Sequence, residues 1–215
     1  MVNRKNKAGV WWAMNTVQPL KDRKQIKAML KYLHKKNFRD YGWVFMGIHV
    51  GLRITDLLKL KVKDVLVEKP GGRRQIRTHI NIKENKTRKT RLIKINNPVR
   101  DFLREYLTPF KEAEMEYPLF ISRKRNKDGS LRSITRQTAY AILKEAKEAC
   151  GIEESVGTHT IRKTWGYWAY KTTKDIAAIQ EIYGHNSAKD TLRYICVDQV
   201  QKDFIYESVT FQGIK

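Results

Sequence analysis

The sequence predicts a mainly α domain of the α+β class, with one small antiparallel β-sheet or hairpin. Apolar residues recur with a helical period through most of the chain, whereas one segment after Pro70 alternates apolar and polar residues with a period of two. We find no internal repeat and no low-complexity segment. The chain has 215 residues, 41% of them hydrophobic, which is enough for one large domain with an ordinary core.

The first third of the chain is predicted to be helical. Residues 1–19 carry little periodicity and are expected to form an arm, after which the apolar positions over 26–33 follow the spacing of one helix face. A second apolar stretch, YGWVFMGIHVGL, ends just before Arg53. Thr55 and Asp56 then predict the start of a single further helix through LLKLKVKDV. Its inward-facing residues are predicted to be Leu57, Leu58, Leu60 and Val65.

The chain changes character at the Pro-Gly-Gly sequence over 70–72. In RRQIRTHINIKEN, isoleucines and a threonine alternate with charged and polar residues from Ile76 to Lys83, which predicts one half-buried strand. The segment RLIKI is predicted to return as a second strand. The segment ENKTRKT between them would then be the turn of a basic β-hairpin.

Polar loops and capping residues divide the rest of the chain into helices. Asn97 and Pro98 are expected to be the cap and the first-turn proline of a helix through VRDFLREYL. A polar loop, SRKRNKDGS, precedes a helix through RQTAYAILKEAKEAC that Gly151 ends. Two more helical runs are predicted over 160–183.

Positive charge dominates the composition. Lysine and arginine number 44 against 22 aspartates and glutamates, which gives a formal net charge of +22 spread along the whole chain. A surplus of this size predicts a polyanion as partner, and nucleic acid is favoured over a membrane because no basic amphipathic helix with an aromatic face stands out. The alternative is that the charge only keeps the protein soluble.

Several classes of function are not indicated. No apolar run approaches the roughly 20 residues that span a bilayer, and the N-terminus lacks the features of a signal peptide, so a cytoplasmic location is expected. The five histidines form no HxxxH or HExxH pattern and there is no GxxxxGK[ST] loop, so neither a metal cofactor nor ATP is implied. Cys150 and Cys196 are expected to be two reduced, partly buried thiols.

Two short motifs carry candidate functional cations, and the second would suit two groups that hold one oxyanion. Arg53 follows a glycine turn in GLRITDLLKL, and THTIRKTW places His159 and Arg162 one turn apart, where both side chains would point the same way on a helix. Each motif could also have an ordinary structural role. Arg53 could be a surface cation whose stem packs on a helix, and His159 could cap a helix while Arg162 lies in solvent.

The segment YGHNSAKDTLRYI has a histidine and a tyrosine on either side of a polar turn. Ser187 and Asp190 form a capping-box-like start, which predicts a last helix that carries Tyr194. A tyrosine is usually a core or surface aromatic. With a pKa near 10, only about one in a thousand is phenolate at pH 7, a handicap of roughly 4 kcal/mol for a nucleophile. Arg53, Arg162, two histidines and the hairpin lysines could offset that handicap.

Taken together, these motifs resemble the catalytic domain of the tyrosine recombinases, the phage integrase family. The resemblance rests on GLRITDLL, NKTRKTRLIKI, HTIR and YGHNSAKDTLRY in this order, with 23 positions from Arg162 to His185 and nine more to Tyr194. It covers about residues 20–200, which we expect to be the catalytic domain, and leaves a tail over 201–215. It implies the DNA breaking-rejoining fold and site-specific recombination of double-stranded DNA through a 3′-phosphotyrosyl intermediate, without metal or ATP.

The resemblance assigns a nucleophile and its neighbours. Tyr194 would attack a DNA phosphodiester in line and release a 5′-hydroxyl. His159 would accept the proton of the tyrosine and return it in the reverse step. His185 would hydrogen-bond the phosphate or position Tyr194.

The resemblance also assigns the cations. Arg53 and Arg162 would hold the non-bridging oxygens of the phosphate, with charge-assisted hydrogen bonds of about 1.5–3 kcal/mol each. A lysine of the β-hairpin would protonate the leaving 5′ oxygen. Lys86 is the best match by its distance from the second strand, and Lys89 is the alternative.

The chain departs from most relatives in length. They carry a helical core-binding domain before the catalytic one, and we expect a natural short form here rather than an excised fragment. Asp56 and Ile161 replace the glutamate and leucine that are common in the family. Self-assembly on DNA, up to a tetramer, is implied, as is association with the nucleoid. Apolar residues of the tail could dock on a neighbouring protomer or pack on their own chain.

Three activities fit these motifs. The first is a site-specific recombinase that integrates, excises or inverts DNA, with target bases contacted by the helix over 135–147. The second is a relaxase like the type IB topoisomerases, with the same chemistry in a monomer. The third is a DNA-binding regulator that kept the fold and lost catalysis, although the complete set of polar residues argues against it.

Overall fold

A computed structural model describes residues 17–83, 90–110, 114–197, 203 and 206–209. Most of these residues are helical, which confirms the predicted mainly α fold, and none of the described helices is long and apolar enough to cross a membrane. The helices are α1 (Arg23–Lys36), α2 (Phe38–Val50), α3 (Ile54–Leu57), α4 (Val62–Val65), α5 (Asn97–Tyr106), α6 (Arg136–Ala149), α7 (Thr158–Thr173), α8 (Ile176–Tyr183) and α9 (Ala188–Ile195). Most residues of the predicted arm and tail lie outside the described residues.

The predicted single helix through LLKLKVKDV is wrong. The structure has two single turns, α3 and α4, and α3 begins directly after Arg53 rather than at Thr55. The chain breaks over 58–60 because a tertiary contact satisfies its backbone there: Leu119 N donates to Leu60 O at 2.7 Å. The four residues predicted to face inward are nevertheless all buried.

The β-structure consists of two antiparallel hairpins. The strands are β1 (Leu66–Lys69), which pairs with β2 (Arg73–Ile76), and β3 (His79–Lys83), which pairs with β4 (Thr90–Lys94). The predicted single strand through RRQIRTHINIKEN is wrong, because Arg77 and Thr78 separate β2 from β3 and the two strands belong to different ladders. The first hairpin was not predicted at all. The predicted strand RLIKI is confirmed as β4, but its turn over 84–89 lies outside the described residues.

Capping residues set the helix ends close to where the sequence predicts them. Asn96, rather than Asn97, caps α5, and its side chain accepts a hydrogen bond from Val99 N at 3.1 Å. Gly151 follows the end of α6, as predicted. The cap of α9 is Ser187, whose hydroxyl accepts from the backbone N–H of Asp190 at 3.0 Å. This hydrogen bond confirms the predicted start of the helix that carries Tyr194.

The buried side chains form two clusters. The main core joins α1–α6 with the strands and consists of apolar side chains, among them Met29, Trp43 and Leu103. The second cluster lies among α7, α8 and α9 and is rich in tyrosine. Its buried members are Tyr167, Tyr170, Ile179, Tyr183, Ile195 and Val197.

Helix α7 connects the two clusters. Its first half enters the main core through Ile161, and its second half enters the other cluster through Tyr167. Glycines allow its neighbours to approach closely. A Cβ atom on Gly47 of α2 would lie 2.5 Å from Ile161, and one on Gly166 of α7 would lie 2.2 Å from the hydroxyl of Tyr183. The first half of α7 is therefore packed closely between α2 and α8.

The segment ahead of α1 also packs on α7. Leu20 is buried, its backbone N–H donates to the hydroxyl of Thr164 at 2.9 Å, and its carbonyl accepts from the indole of Trp168 at 3.0 Å. The amine of Lys21 donates to the carbonyl of Cys196 at 3.0 Å, which ties the same segment to the end of α9. Cys196, like Cys150, is half-buried, as the sequence predicts.

Candidate active site

Five of the six residues predicted to form the site are described, and the fold brings them together. Arg53 precedes α3, His159 and Arg162 lie one turn apart on α7, His185 lies between α8 and α9, and Tyr194 lies on α9. The packing of α7 against α8 and α9 closes a pocket from residues that are far apart in sequence.

The two arginines meet at one carbonyl group. Arg162 is 3% exposed, so the alternative that it lies in solvent is wrong. One of its Nη atoms donates to the carbonyl of Gly51, and the other donates to the carbonyl of Tyr183 at 3.3 Å. Arg53 Nη2 donates to the same Tyr183 carbonyl at 3.2 Å. Two like charges are thus held side by side, an arrangement that favours an anion between them.

The backbone at Gly51 makes one of these contacts possible. Gly51 ends α2 with a φ of 62°, in the left-handed region that glycine adopts without strain. A Cβ atom there would lie 2.5 Å from the indole ring of Trp165. The turn just before Arg53 therefore needs glycine for both its conformation and its packing, and it presents its carbonyl to Arg162.

The hydroxyl of Tyr194 contacts an imidazole. His159 Nδ1 lies 3.2 Å from Tyr194 Oη, within hydrogen-bond distance. The ring of Tyr194 also packs edge-on against Tyr183 and His185, with ring centroids 5.4 and 5.2 Å away. Tyr194 is thus docked in the pocket of its own chain in this structure.

His185 is oriented by α9. Its Nδ1 atom lies 3.1 Å from the hydroxyl of Thr191, and that hydroxyl donates to the carbonyl of Ser187. Because the hydroxyl of Thr191 donates its own hydrogen in this way, it accepts a hydrogen bond from the Nδ1–H group of His185. The contact fixes the plane of the imidazole ring beside Tyr194.

Burial and nearby positive charge shift the pKa values of His159 and Tyr194, whose side chains are in contact. Burial lowers the pKa of His159, and the charges of Arg136, Lys163, Arg162 and Arg53 lower it further. The imidazole is therefore mainly neutral at pH 7 and can accept a proton.

For Tyr194 the effects oppose each other. Burial raises its pKa, while the positive charges of Arg162 and Arg53 act in the opposite direction. The phenol is consequently protonated in this pocket at pH 7, so it needs a base to become a nucleophile.

Residues 21–200 match the phage integrase family. The chain belongs to this family. It is a tyrosine-type recombinase, as the motifs predict, and it has the fold of the catalytic domains of these enzymes. The described residues contain no group of three or more His, Cys, Asp or Glu side chains that could hold a metal ion.

Individual relatives differ in how much of their length the chain spans. It is 41% identical over 186 residues to the probable integrase/recombinase YoeC of Bacillus subtilis, a match that covers 86% of this chain and 93% of YoeC. The crystal structure of XerA recombinase superimposes with a TM-score of 0.67 at 20% identity, over 93% of this chain and 66% of XerA. A XerH recombinase bound to its difH substrate gives 0.58 at 19% identity, over 88% of this chain and 55% of XerH.

The sixth residue predicted for the site is Lys86, with Lys89 as the alternative, and both lie outside the described residues. The strand that follows is placed: Arg91 Nη2 of β4 donates to the carbonyl of Glu181 at 3.2 Å. This contact sets the hairpin against α8, next to the pocket.

Two members of the pocket were missed by sequence reasoning. Tyr183 is fully buried, its hydroxyl donates to the carbonyl of Arg162 at 2.5 Å, and its ring lies 4.1 Å from the guanidinium carbon of the same residue. Its place directly before the Gly-His pair is a signal that could have found it. Lys163 is 4% exposed and has its amine 5.2 Å from the ring centroid of Tyr194. A lysine among 44 basic residues carries no such signal.

Proposed function

We propose that this chain breaks and rejoins double-stranded DNA at a specific site, with Tyr194 as the nucleophile. The observation that carries the proposal is the 3.2 Å contact between Tyr194 Oη and His159 Nδ1, beside the guanidinium groups of Arg53 and Arg162. In the forward step Oη bonds to phosphorus, the bond from phosphorus to the 5′ oxygen breaks, and the 3′ phosphate stays on the tyrosine. The reverse step restores the diester, so that no ATP is consumed.

His159 is the base of this proposal. The lowered pKa of its imidazole keeps it neutral near pH 7, and its Nδ1 atom lies within reach of the phenolic proton. The proton moves from Oη to Nδ1 as the bond to phosphorus forms, and it returns when the DNA is rejoined. This transfer removes the handicap that burial places on the phenol.

Arg53 and Arg162 are the anion-binding pair. Their guanidinium groups share the Tyr183 carbonyl as an acceptor, and a phosphodiester would supply two charged oxygens in the same place. Since charge develops on these oxygens in the transition state, the pair stabilises the reaction rather than binding alone. His185, held by Thr191, supplies a further donor at the phosphate or keeps Tyr194 in position.

A lysine of the hairpin turn completes the proton balance. The leaving 5′ oxygen takes a proton, and we assign its donor to Lys86, with Lys89 as the alternative in the same turn. The contact of Arg91 with α8 supports this assignment, because it anchors the hairpin beside the pocket.

DNA is the proposed partner because the surface next to the pocket is basic. The charge of Arg136, in the first turn of α6, acts on His159, so the start of α6 lies close to the reacting groups. We assign base contacts to the exposed side of this helix, and phosphate contacts to the surplus of positive charge. XerH, whose fold this chain shares, is bound to its difH substrate in its crystal structure, which supports DNA as the partner.

The proposal is tested by looking for a covalent adduct between the protein and DNA. The protein is incubated with a pool of nicked duplexes of random sequence, without metal or ATP, and adducts are collected from a denaturing gel. We expect the wild type to form adducts and Tyr194→Phe to form none. The control is Tyr206→Phe, which changes a tyrosine that is 81% exposed and should form adducts like the wild type. Adducts that are equally abundant with Tyr194→Phe would refute the nucleophile.

The sequences of the trapped DNA separate recombination from relaxation. A recombinase enriches one sequence, whereas a relaxase traps the random pool without enrichment. With the enriched site in hand, light scattering of the protein on DNA carrying two such sites measures the proposed assembly of up to four protomers. A protein that stays monomeric on this DNA would refute that assembly.

A further inference from the structure

Lys163 follows Arg162 on α7, and its side chain points into the second cluster rather than into solvent. Its residue is 4% exposed. Its amine lies 3.8 Å from the sulfur of Cys196 and 5.2 Å from the ring centroid of Tyr194. Burying an ammonium group is unfavourable unless a nearby group compensates its charge, so the partners of Lys163 decide what it does.

No carboxylate compensates this charge within the described part of the chain. Among these residues, Lys163 forms no ion pair, and its one hydrogen bond goes to the sulfur of Cys196, a weak acceptor. The segment ahead of α1 closes the site from outside, where Leu20 and Lys21 contact α7 and the end of α9. The electron-rich ring of Tyr194 is thus a principal partner of a buried cation.

A purely structural role would not need the charge. The side chain of Lys163 fills the space between α7 and α9, and a methionine of similar length would fill it as well. An ammonium adds an attraction for negative charge. When Tyr194 loses its proton, the charge is shared between its oxygen and its ring, and the attraction to Lys163 grows.

We propose that Lys163 is a positioning residue for Tyr194: its buried ammonium holds the ring in the pocket and favours the ionised nucleophile over the neutral phenol. This inference rests on the proposed function, in which Tyr194 attacks DNA. It adds to that function a cation that acts on the nucleophile and does not touch the phosphate.

Other groups also act on Tyr194 and set the background for Lys163. The charged and titratable groups that face it are His159, Arg162 and Lys163 of α7, Arg53 ahead of α3, Tyr183 of α8, His185 of the following loop and Cys196 at the end of α9, with Lys21 at the carbonyl of Cys196. The arginines are shared with the phosphate once DNA binds. Lys163 is directed at the ring and sulfur instead, so its effect persists through the reaction.

The expected size of the effect follows from the distance. The amine lies 5.2 Å from the ring centroid, and most of the phenolate charge lies on the oxygen beyond the ring, so we expect a shift of about one pH unit, which corresponds to about a tenfold change in the phenolate fraction. Removing the charge of Lys163 should therefore move the pH dependence of adduct formation towards alkaline pH by about this amount.

The test measures the rate of adduct formation against pH for matched variants of the whole chain. Lys163→Met removes the charge and keeps the length, Lys163→Arg keeps the charge, and Lys171→Met removes an exposed cation of the same helix. We expect the profile of Lys163→Met to move to higher pH by about one unit or more, Lys163→Arg to lie closer to the wild type, and Lys171→Met to match it. An unchanged profile for Lys163→Met, or a profile of Lys163→Arg no closer to the wild type, overturns the proposal.

The thiol of Cys196 is the second group that the ammonium contacts, and it needs its own variant. Cys196→Ala removes this sulfur, and we expect its pH profile to move much less than that of Lys163→Met. A shift as large as that of Lys163→Met would mean that the ammonium acts through the thiol, which overturns the assigned contact with the ring. A urea denaturation of each variant provides the fraction folded, by which every rate is corrected.

A measurement without DNA separates this inference from the proposed function. In carbon-13-tyrosine NMR spectra, the resonance missing from Tyr194→Phe belongs to Tyr194, and its titration gives the ionisation of this residue directly. Lys163→Met should titrate at higher pH than the wild type. An identical titration overturns the inference even if adducts form, whereas a shifted titration in a protein that forms no adduct refutes the proposed function alone.

Discussion

The main core and the cluster among α7, α8 and α9 are built from different kinds of side chain. The main core consists of apolar residues, and only Asp40 and Asp56 are buried polar residues outside α7 and α9 in the described chain. The other six buried polar or charged residues of the described chain lie on those two helices: Thr158, Thr160, Arg162, Lys163 and Thr164 on α7, and Thr191 on α9. The main core therefore mainly stabilises the fold. The second region buries polar groups, and removing these groups from water costs free energy.

Backbone carbonyls reduce that cost in the second region. The carbonyls of Gly51 and Tyr183 accept hydrogen bonds from Arg162, and the hydroxyl of Tyr183 returns one to the backbone of α7. Such fully buried hydrogen bonds to charged groups hold side chains in one geometry. The comparison teaches that a substitution in the main core should change stability, whereas one in the second region should change the reaction.

Arg162→Ala, in the second region, should have the largest effect of these variants, and this effect should be on the reaction rather than on stability. Without the guanidinium group, the transition state loses one charge-assisted clamp, and adduct formation should fall about 100- to 1000-fold. DNA retention, measured by fluorescence anisotropy, should weaken only modestly. The matched control is Arg104→Ala, an exposed cation of α5. Complete loss of binding by Arg162→Ala would mean that the arginine serves affinity rather than chemistry.

Leu103→Ala should have a large effect on stability in the main core. Leu103 is fully buried, and its truncation leaves a cavity that costs about 2–5 kcal/mol in the free energy of unfolding. Urea denaturation measures this cost, and the adduct rate per folded molecule should be unchanged. Leu92→Ala, at a leucine that is 69% exposed, should leave both quantities as they are. A slower reaction of the folded Leu103→Ala protein would show that the two regions are coupled.

Ser187→Ala should have the smallest effect of these variants, and it can be compared directly with the loss of a cap elsewhere in the chain. Loss of the cap of α9 costs about 1 kcal/mol, and if that cost is spent on undocking Tyr194, adduct formation falls about fivefold. Asp22→Ala removes the corresponding cap of α1, where the side chain of Asp22 accepts a hydrogen bond from Lys24 N at 2.7 Å. It should lower stability by a similar amount without slowing the reaction. Equal reaction rates for both variants would contradict the assigned role of α9.

The sequence predicted the helices and the order of the site well, because both depend on local patterns. Apolar spacing and capping residues indicated α1, α2, α6 and α7, and the resemblance to the tyrosine recombinases implied one site for Arg53, His159, Arg162, His185 and Tyr194. The single helix through LLKLKVKDV failed because its leucines satisfy a helical period equally well as two separate turns. Tertiary hydrogen bonds decide between them, among them those from Leu119 N to Leu60 O and from Val62 N to Tyr117 O.

The parts that sequence reasoning missed depend on distant segments. The hairpin of β1 and β2 was hidden because its four-residue strands are too short to show a period. Lys163 was hidden because it is buried beside Cys196 and Tyr194, which lie far from it along the chain. A lysine beside an arginine on a helix is normally a solvated residue, and only packing reverses that expectation.

The carbonyl of Tyr183 limits which helices can be changed when the protein is engineered. One peptide group at the end of α8 accepts hydrogen bonds from both Arg53 and Arg162, so a displacement of α8 is transmitted to both guanidinium groups at once. A library that seeks new target sequences should therefore randomise exposed positions of α6 and leave α8 untouched. Variants selected in this way would change which DNA is recognised and keep the machinery that cuts it.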